Sequence, residues 1–261
     1  MDRDDSRVES GVTESSPPEA TGIPWPPAVG LLDPHNDPRA WGRAIVATEE
    51  DGEALVVARG RMIHLRTMTR KDLAHLAEWC DDPSLEHLVG SDFLRAFREI
   101  YDKQPAFFDA VLADPTQVAL MIVPNRGWDG KPVGVVRLFN IHVEDGYAGI
   151  ETVVADPRAS RRGFGVQASR LVAFYGVDVL GLRRIECKAY EYNALSVNTL
   201  LRNGFTQEGV LRKAAFKNGR YWDIMIFGIL RDEIEEQRRR DKYLLRAGDT
   251  PPGAGSVSDP P

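Results

Sequence analysis

The sequence is poor in several things, and each shortage removes a class of answers. It has two cysteines, Cys80 and Cys187, far apart and with no CxxC pair. Neither a disulfide framework nor a zinc site is indicated, and no metal is expected. No apolar run is long enough to span a bilayer, so no membrane contact is expected. The first residues, MDRDDSRVES, carry acids where a secretory leader needs a basic and then an apolar stretch. The expectation is a cytoplasmic protein. Cationic charge is also short: 33 Lys and Arg stand against 39 Asp and Glu, for a formal net charge of -6. A general nucleic-acid binder carries a basic footprint, so that class is disfavoured.

What is present suffices for a folded domain. Hydrophobic residues make up 43% of the chain, enough to build one core. Residues 1–43 read as a disordered, proline-rich arm (ESSPPE, IPWPPAVG) that buries too little apolar surface to offset its ordering entropy. Trp25 and Trp41 are its two candidates for docking. Residues 44–59 read as a β-hairpin, with AIVAT and ALVVA flanking a turn at Asp51-Gly52. The main domain spans 60–233, and the tail 234–261 reads as an exposed helix followed by disorder.

Within the main domain the apolar spacing predicts seven strands and four helical regions. MIHLRTM alternates as a strand, and Thr69 then caps a helix over RKDLAHLAEWC. A helical region from Leu85 to about Leu112 follows. Strands are expected at 117–123, 132–141, 147–155, 184–192, 209–217 and 220–230, the last two joined by the hairpin turn Asn218-Gly219. A helix with Ala168, Leu171, Val172, Tyr175 and Val179 on one face lies between the fourth and fifth strands. Asn193 caps a short helix after the fifth.

The stretch with most chemical content is TVVADPRASRRGFGVQASRLVAFY, a strand, a glycine loop and a helix. Gly163 and Gly165 allow backbone to approach a ligand closely. The helix start offers unpaired N–H groups and partial positive charge, which suits a pyrophosphate. Arg161 and Arg162 add charge at its rim. The same glycines also serve plain turn geometry, so the pattern alone leaves both readings open. A P-loop is excluded because no Gly-Lys-Ser/Thr follows. A Rossmann fingerprint is disfavoured because the third glycine is missing.

The stretch resembles motif A of the GNAT acetyltransferases, whose loop runs Gln or Arg, two residues, Gly, one residue, then Gly or Ala. Three other segments agree in order: GRMIHLRTMTRKDL, LGLRRIECKAYEYNALSVNTLLRNGF and EGVLRKAAFKNGRYWDIMIFGILRDE. Together they resemble the RimJ/RimL-like branch, from about Gly60 to Glu233. The resemblance implies an α/β (α+β) GNAT fold, with a mixed, mostly antiparallel sheet of seven strands flanked by helices. It implies acetyl-CoA as acyl donor and an amine acceptor, small molecule or protein N-terminus, and it leaves a homodimer open. Backbone at Val153, Val154 and Ala155 would hold the pantetheine arm. Loop amides of Arg161, Arg162, Gly163, Phe164, Gly165 and Val166 would hold the pyrophosphate. Asn193 and Asn198 would lie toward the thioester end. Two positions depart from the pattern: Ser160 stands at the loop's first position, and Leu200 stands where many members place a tyrosine general acid.

An amine attacks only when neutral, so its proton must first leave. Glu151 is the first candidate base, against the alternative of a strand carboxylate facing solvent or paired with an arginine. Glu191 and His142 rank below it. Tyr192 and Ser196, with Tyr190, are the candidate replacements for the missing acid. The aromatic-rich segment from Ser84 to Pro115, including Phe93, Phe97, Tyr101, Phe107 and Phe108, would shape the acceptor pocket or simply be core. Two rivals remain: a catalytically inactive CoA-binding regulatory module, and a structural protein that uses the fold for assembly.

Overall fold

Alternation in IHLRT sends Ile63, Leu65 and Thr67 into the interior and leaves His64 and Arg66 partly exposed, the signature of a strand with one covered face. The structure, a computed structural model, describes residues 54–100 and 114–240. The proline-rich arm with Trp25 and Trp41, the AIVAT run, Tyr101, Phe107, Phe108 and the C-terminal end fall outside the described residues.

The described strands are β1 Val56–Arg59, β2 Ile63–Thr67, β3 Val118–Pro124, β4 Gly134–His142, β5 Tyr147–Val154, β6 Arg184–Tyr190, β7 Thr206–Lys217 and β8 Arg220–Leu230. They form one sheet in the order β1-β2-β3-β4-β5-β6-β8-β7. Every neighbour pair is antiparallel except β5–β6, which is parallel. The sheet thus has eight strands rather than the seven expected. The added strand comes from the ALVVA run. Val56–Arg59 pairs forward with β2, through a turn closed by Gly60 N–H donating to Ile63 O at 2.8 Å.

The helices are α1 Leu73–Cys80, α2 Pro83–Leu88, α3 Asp92–Ile100, α4 Phe164–Asp178, α5 Ala194–Arg202 and α6 Arg231–Arg240. Thr69 does open the first helical segment, through a 3-10 turn at Arg70–Asp72. The Asp72 carboxylate accepts from Thr69 N–H at 2.8 Å and pairs with both Arg66 terminal nitrogens at 2.7 Å. The region expected to be continuously helical from Leu85 breaks at Gly90, whose φ is +58°. A side chain there would collide with the Tyr190 hydroxyl, 2.5 Å from the Cβ position. The tail helix is not free on the surface as expected. Ile234 of α6 is buried, and Arg238 pairs with Asp178 at 2.8 Å while lying over the Phe174 ring.

The two faces of the sheet carry separate apolar cores. On one, α4 packs Ala168, Leu171 and Val172 against Leu65, Leu120, Val136, Leu138 and Ile150. On the other, α1–α3 pack Leu76, Trp79, Phe93 and Phe97 against Met121, Val135 and Val153. Strand alternation divides β5 between them: Ile150 faces α4, whereas Val153 faces α1–α3.

Candidate active site

β5 and β6 run parallel but pair only at Tyr147↔Arg184, Ala148↔Ile185 and Gly149↔Glu186. Beyond Gly149 the strands part. β5 remains paired with β4 as far as Gly134↔Val154, and β6 remains paired with β8 as far as Tyr190↔Ile224. The result is a V-shaped opening in the sheet. One wall is the β5 arm Ile150–Val154 and the other is the β6 arm Cys187–Tyr190. Strand edges inside it offer backbone groups with no partner across the gap.

Not all of those groups face the opening. Ala155 N–H donates to Val133 O at 2.8 Å, so it is used within the sheet. A Cβ on Gly134 would lie 2.0 Å from Val153 O, which places that carbonyl against β4. Because polar groups alternate sides along a strand, Val154 is the one of the three expected pantetheine positions whose amide turns toward the gap. The register directs the amides of Val153 and Ala155 to β4.

The open end of the V meets the glycine loop. Gly163 is the N-cap of α4, with φ of +83° and no capping side chain. The first-turn amides of Phe164, Gly165 and Val166 therefore lack an intrahelical acceptor. Gly165 approaches β5 closely, since a Cβ there would sit 3.3 Å from Val154 Cγ2. Arg161 and Arg162 are exposed at the rim, and Arg161 itself has a positive φ of 60°. Helix position is fixed from three sides. Gln167 Oε1 accepts from the amides of Met62 and Ile63 at 2.9 and 3.0 Å. Thr152 and Ser169 hydroxyls lie 2.9 Å apart, and Arg170 Nε donates to Asn203 Oδ1 at 2.8 Å. Trp128, from the β3–β4 turn, packs edge-on against Phe164. A rigid cradle of backbone N–H groups with small residues at its entrance fits the diphosphate of a nucleotide-type ligand.

Glu151 lies two residues past the last β5–β6 pair, on the α1–α3 face. Its Oε2 accepts from Arg137 Nε at 2.6 Å, and both side chains are largely buried, at 14% and 11% exposure. Its Oε1 is buried with no hydrogen-bond partner among the described residues. Of the two alternatives left by the sequence, the arginine-paired geometry is the one observed, and it leaves one carboxylate oxygen unused.

The remaining candidates are engaged elsewhere. Tyr192 donates its hydroxyl to His87 O at 2.7 Å and stacks between His87 and Tyr190. Burial, aided by Tyr190 and Glu86, raises its pKa, which makes it a poorer acid. Asn193 is a buried N-cap: Oδ1 accepts from Ser196 N–H at 3.1 Å, and Nδ2 donates to Leu88 O at 2.6 Å and Ser196 Oγ at 2.9 Å. Both of its amide protons are used, and Ser196 is held in the same cap. Asn198 is exposed on α5, and Leu200 is buried in the α4-side core. His142 stacks on Tyr147 at the paired end of β5, away from the opening. Glu191 accepts from Asp223 N–H at 3.0 Å and is turned to β8.

One feature escaped the sequence reading. It is Arg137, a lone cation inside the apolar run GVVRLFN. Such a residue signals a buried partner, but only the register opposite Glu151 names it. Cys80 is buried. Burial, helped by the Glu151 carboxylate, pushes the Cys187 thiol up to about 12. Neither cysteine is set up as a thiolate nucleophile.

Residues 62–206, more than half of the chain, match the family model described as "Acetyltransferase (GNAT) domain". The chain belongs to the GNAT acetyltransferase family. It is an acetyl-CoA-dependent N-acetyltransferase by class, with the mixed GNAT sheet. It is 29% identical over 180 residues to the mouse (Mus musculus) alpha/beta-tubulin-N-acetyltransferase 9, covering 62% of this chain and 73% of that protein. It is also 29% identical over 107 residues to an SPbeta prophage-derived uncharacterized N-acetyltransferase, YokL, of Bacillus subtilis, covering 41% of this chain and 60% of that protein. Among solved structures, the spermidine N-acetyltransferase of Vibrio cholerae in complex with CoA and spermine shares the GNAT fold. It superposes with a TM-score of 0.56 at 21% identity, over 67% of this chain and 98% of that one. Among the described residues no helix is long and apolar enough to cross a membrane. No group of three or more His, Cys, Asp or Glu among them is placed to hold a metal ion.

Proposed function

We propose that this GNAT protein transfers acetyl from acetyl-CoA directly to a primary amine, with both substrates bound together. The observation that carries the reading is the parting of β5 from β6 after Gly149, beside an uncapped, fifteen-residue helix whose first amides face the same end. In this reading the amides of the loop from Arg161 to Val166 hold the pyrophosphate. The backbone at Val154 holds the pantetheine arm, and N–H groups at the V polarise the thioester carbonyl. Glu151, through its unpartnered Oε1, takes the proton from the acceptor ammonium, directly or through one water. The amine nitrogen then forms the bond to the acetyl carbon as the carbon–sulfur bond breaks, and CoA leaves as thiolate, which takes up the second proton that the nitrogen sheds on becoming an amide. The absence of an activated cysteine supports direct attack over an acetyl-cysteine intermediate.

Relatives named for tubulin and for spermidine both act on amines. The four matching segments favour the RimJ/RimL-like branch, with a protein N-terminus or a small-molecule amine as substrate. A cytoplasmic location belongs to the same reading. A second reading, a CoA-binding regulatory module without turnover, draws support from Leu200, which puts a buried aliphatic where many members carry an acid, and from Tyr192, whose hydroxyl is committed to His87 O. Calorimetric titration with acetyl-CoA, followed by thiol release over a panel of amines and N-terminal peptides, separates the two. Binding with release on one acceptor class is the expected result. Binding without release on any acceptor would favour the regulatory module, and no binding would reject both.

A further inference from the structure

The β4–β5 register puts Arg137 directly opposite Glu151. Its guanidinium is almost fully enclosed. Nε donates to Glu151 Oε2 at 2.6 Å, and Nη1 reaches Gln117 Oε1 at 3.5 Å. Phe93 and Phe139 flank it, with Cζ 5.3 and 4.6 Å from their ring centroids. Phe139 is itself fixed by Gly149, the last residue before the strands part: a Cβ there would meet the Phe139 ring at 2.6 Å.

A buried ion pair is a poor device for stability, because desolvating two charges offsets most of their attraction. A plain structural pair also tends to satisfy both carboxylate oxygens, since an unmet buried acceptor is costly. Here one oxygen is met and the other is not. The pair sits just past the point where the V opens, on the face where Phe93 and Phe97 of α3 close over the sheet. Arginine suits the task because its planar fork fixes a carboxylate's orientation and its stacking faces lock between two rings.

We infer that Arg137 is a positioning residue for acetyl transfer: it holds Glu151 by one oxygen so that the other stays free for the acceptor amine. The inference rests on the assignment of Glu151 as base. Arg137 touches neither the thioester nor the amine, so its loss is read in the turnover of bound substrates and leaves acetyl-CoA affinity intact.

The test compares full-length wild type with Glu151→Gln, Arg137→Met, Arg137→Lys and the double variant Arg137→Met/Glu151→Gln. Each is read for thermal midpoint, acetyl-CoA affinity by calorimetry, and kcat and KM on the fastest amine of the panel. Glu151→Gln is expected to lower kcat by about 10²-fold, the usual worth of a positioned base. Arg137→Met should lower it by a similar factor with acetyl-CoA affinity unchanged, and Arg137→Lys should recover part of the rate. The double variant, which leaves no unpaired charge and so guards against misfolding of Arg137→Met, should be no slower than either single change, as for groups acting as one unit. Wild-type kcat in Arg137→Met beside a slow Glu151→Gln would overturn the inference and leave Glu151 as base. A double variant that regains both thermal midpoint and full rate would make the pair merely structural. A Glu151→Gln enzyme as fast as wild type would remove the base assignment itself, and the inference with it.

Discussion

The two faces of β5 use different chemistry. On the α4 face the strand contributes Ile150, Thr152 and Val154, and among the described residues the polar tie is a pair of hydroxyls, Thr152 with Ser169. In the proposed reading, the ligand at that end is met by backbone N–H groups and by the missing side chains of Gly163 and Gly165. On the α1–α3 face the same strand contributes Glu151, and the tie is a buried charge pair walled by phenylalanines. In the proposed reading, one strand thus separates a ligand-holding surface made of main chain from a reacting surface made of side chains. Alternation along a strand makes this division without any loop or second domain. It also makes the two surfaces independently mutable.

The comparison is broken most severely at Gly163. Gly163→Glu should weaken acetyl-CoA binding by about 10²- to 10⁴-fold, the loss of two charge-assisted hydrogen bonds at about 1.5–3 kcal/mol each. Since φ is +83°, any side chain there is also strained, by about 1–2 kcal/mol. Gly163→Ala carries that strain without the carboxylate, so calorimetry on both variants separates backbone strain from repulsion. If Gly163→Glu folds and binds acetyl-CoA as wild type does, the cradle is only a turn.

The reacting face has its own structural ion pair. The Asp72–Arg66 pair is nearly buried, at 4% and 14% exposure. Breaking it by Asp72→Ala should cost about 3–5 kcal/mol in denaturant unfolding while leaving acetyl-CoA affinity of the folded enzyme unchanged. Burial works to raise the Asp72 pKa, but hydrogen bonds from Arg66 and Thr69 outweigh it and hold the carboxyl below its ordinary value. The folded pKa lies below the unfolded one. The contribution is therefore full above the ordinary carboxylate range and is lost as pH falls through the depressed value. Acid unfolding curves of wild type should show that loss, and those of Asp72→Ala should lack it.

The smallest effect is expected on the ligand-holding face. Ser169→Ala removes a hydroxyl that contacts Thr152 and donates to Gly165 O at 3.0 Å. A cost of about 1 kcal/mol in unfolding free energy is expected, with kcat on the best amine unchanged. A large fall in kcat from this substitution would mean that the two faces are not independent.

Much of this was legible in the sequence, for reasons that are local. Alternation in IHLRT, the Asn218-Gly219 turn, the Thr69 helix start and the glycine loop each depend on neighbours a few residues away. Those neighbours are fixed by covalent connection. The failures were equally local in origin. The AIVAT side of the hairpin expected at Asp51-Gly52 lies outside the described residues, whereas the ALVVA run gains in β2 a partner that its spacing did not name. Arg238 sat in a run that looked solvated, and only the packing of α6 beside α4 gave it Asp178 and Phe174.

By itself the sequence determined the order of strands and helices, the family, and the place where a helix start meets two glycines, since these follow from periodicity and from what glycine permits. Tertiary structure alone decided which backbone amides face the gap, because that depends on register with β4. It decided that Asn193, Tyr192 and Ser196 are tied to each other or to α2, because their partners lie about a hundred residues away or across a cap. It also decided that Glu151 meets Arg137 rather than water. A charge's role depends on the distance and burial of its partner, and no short stretch of chain encodes either one.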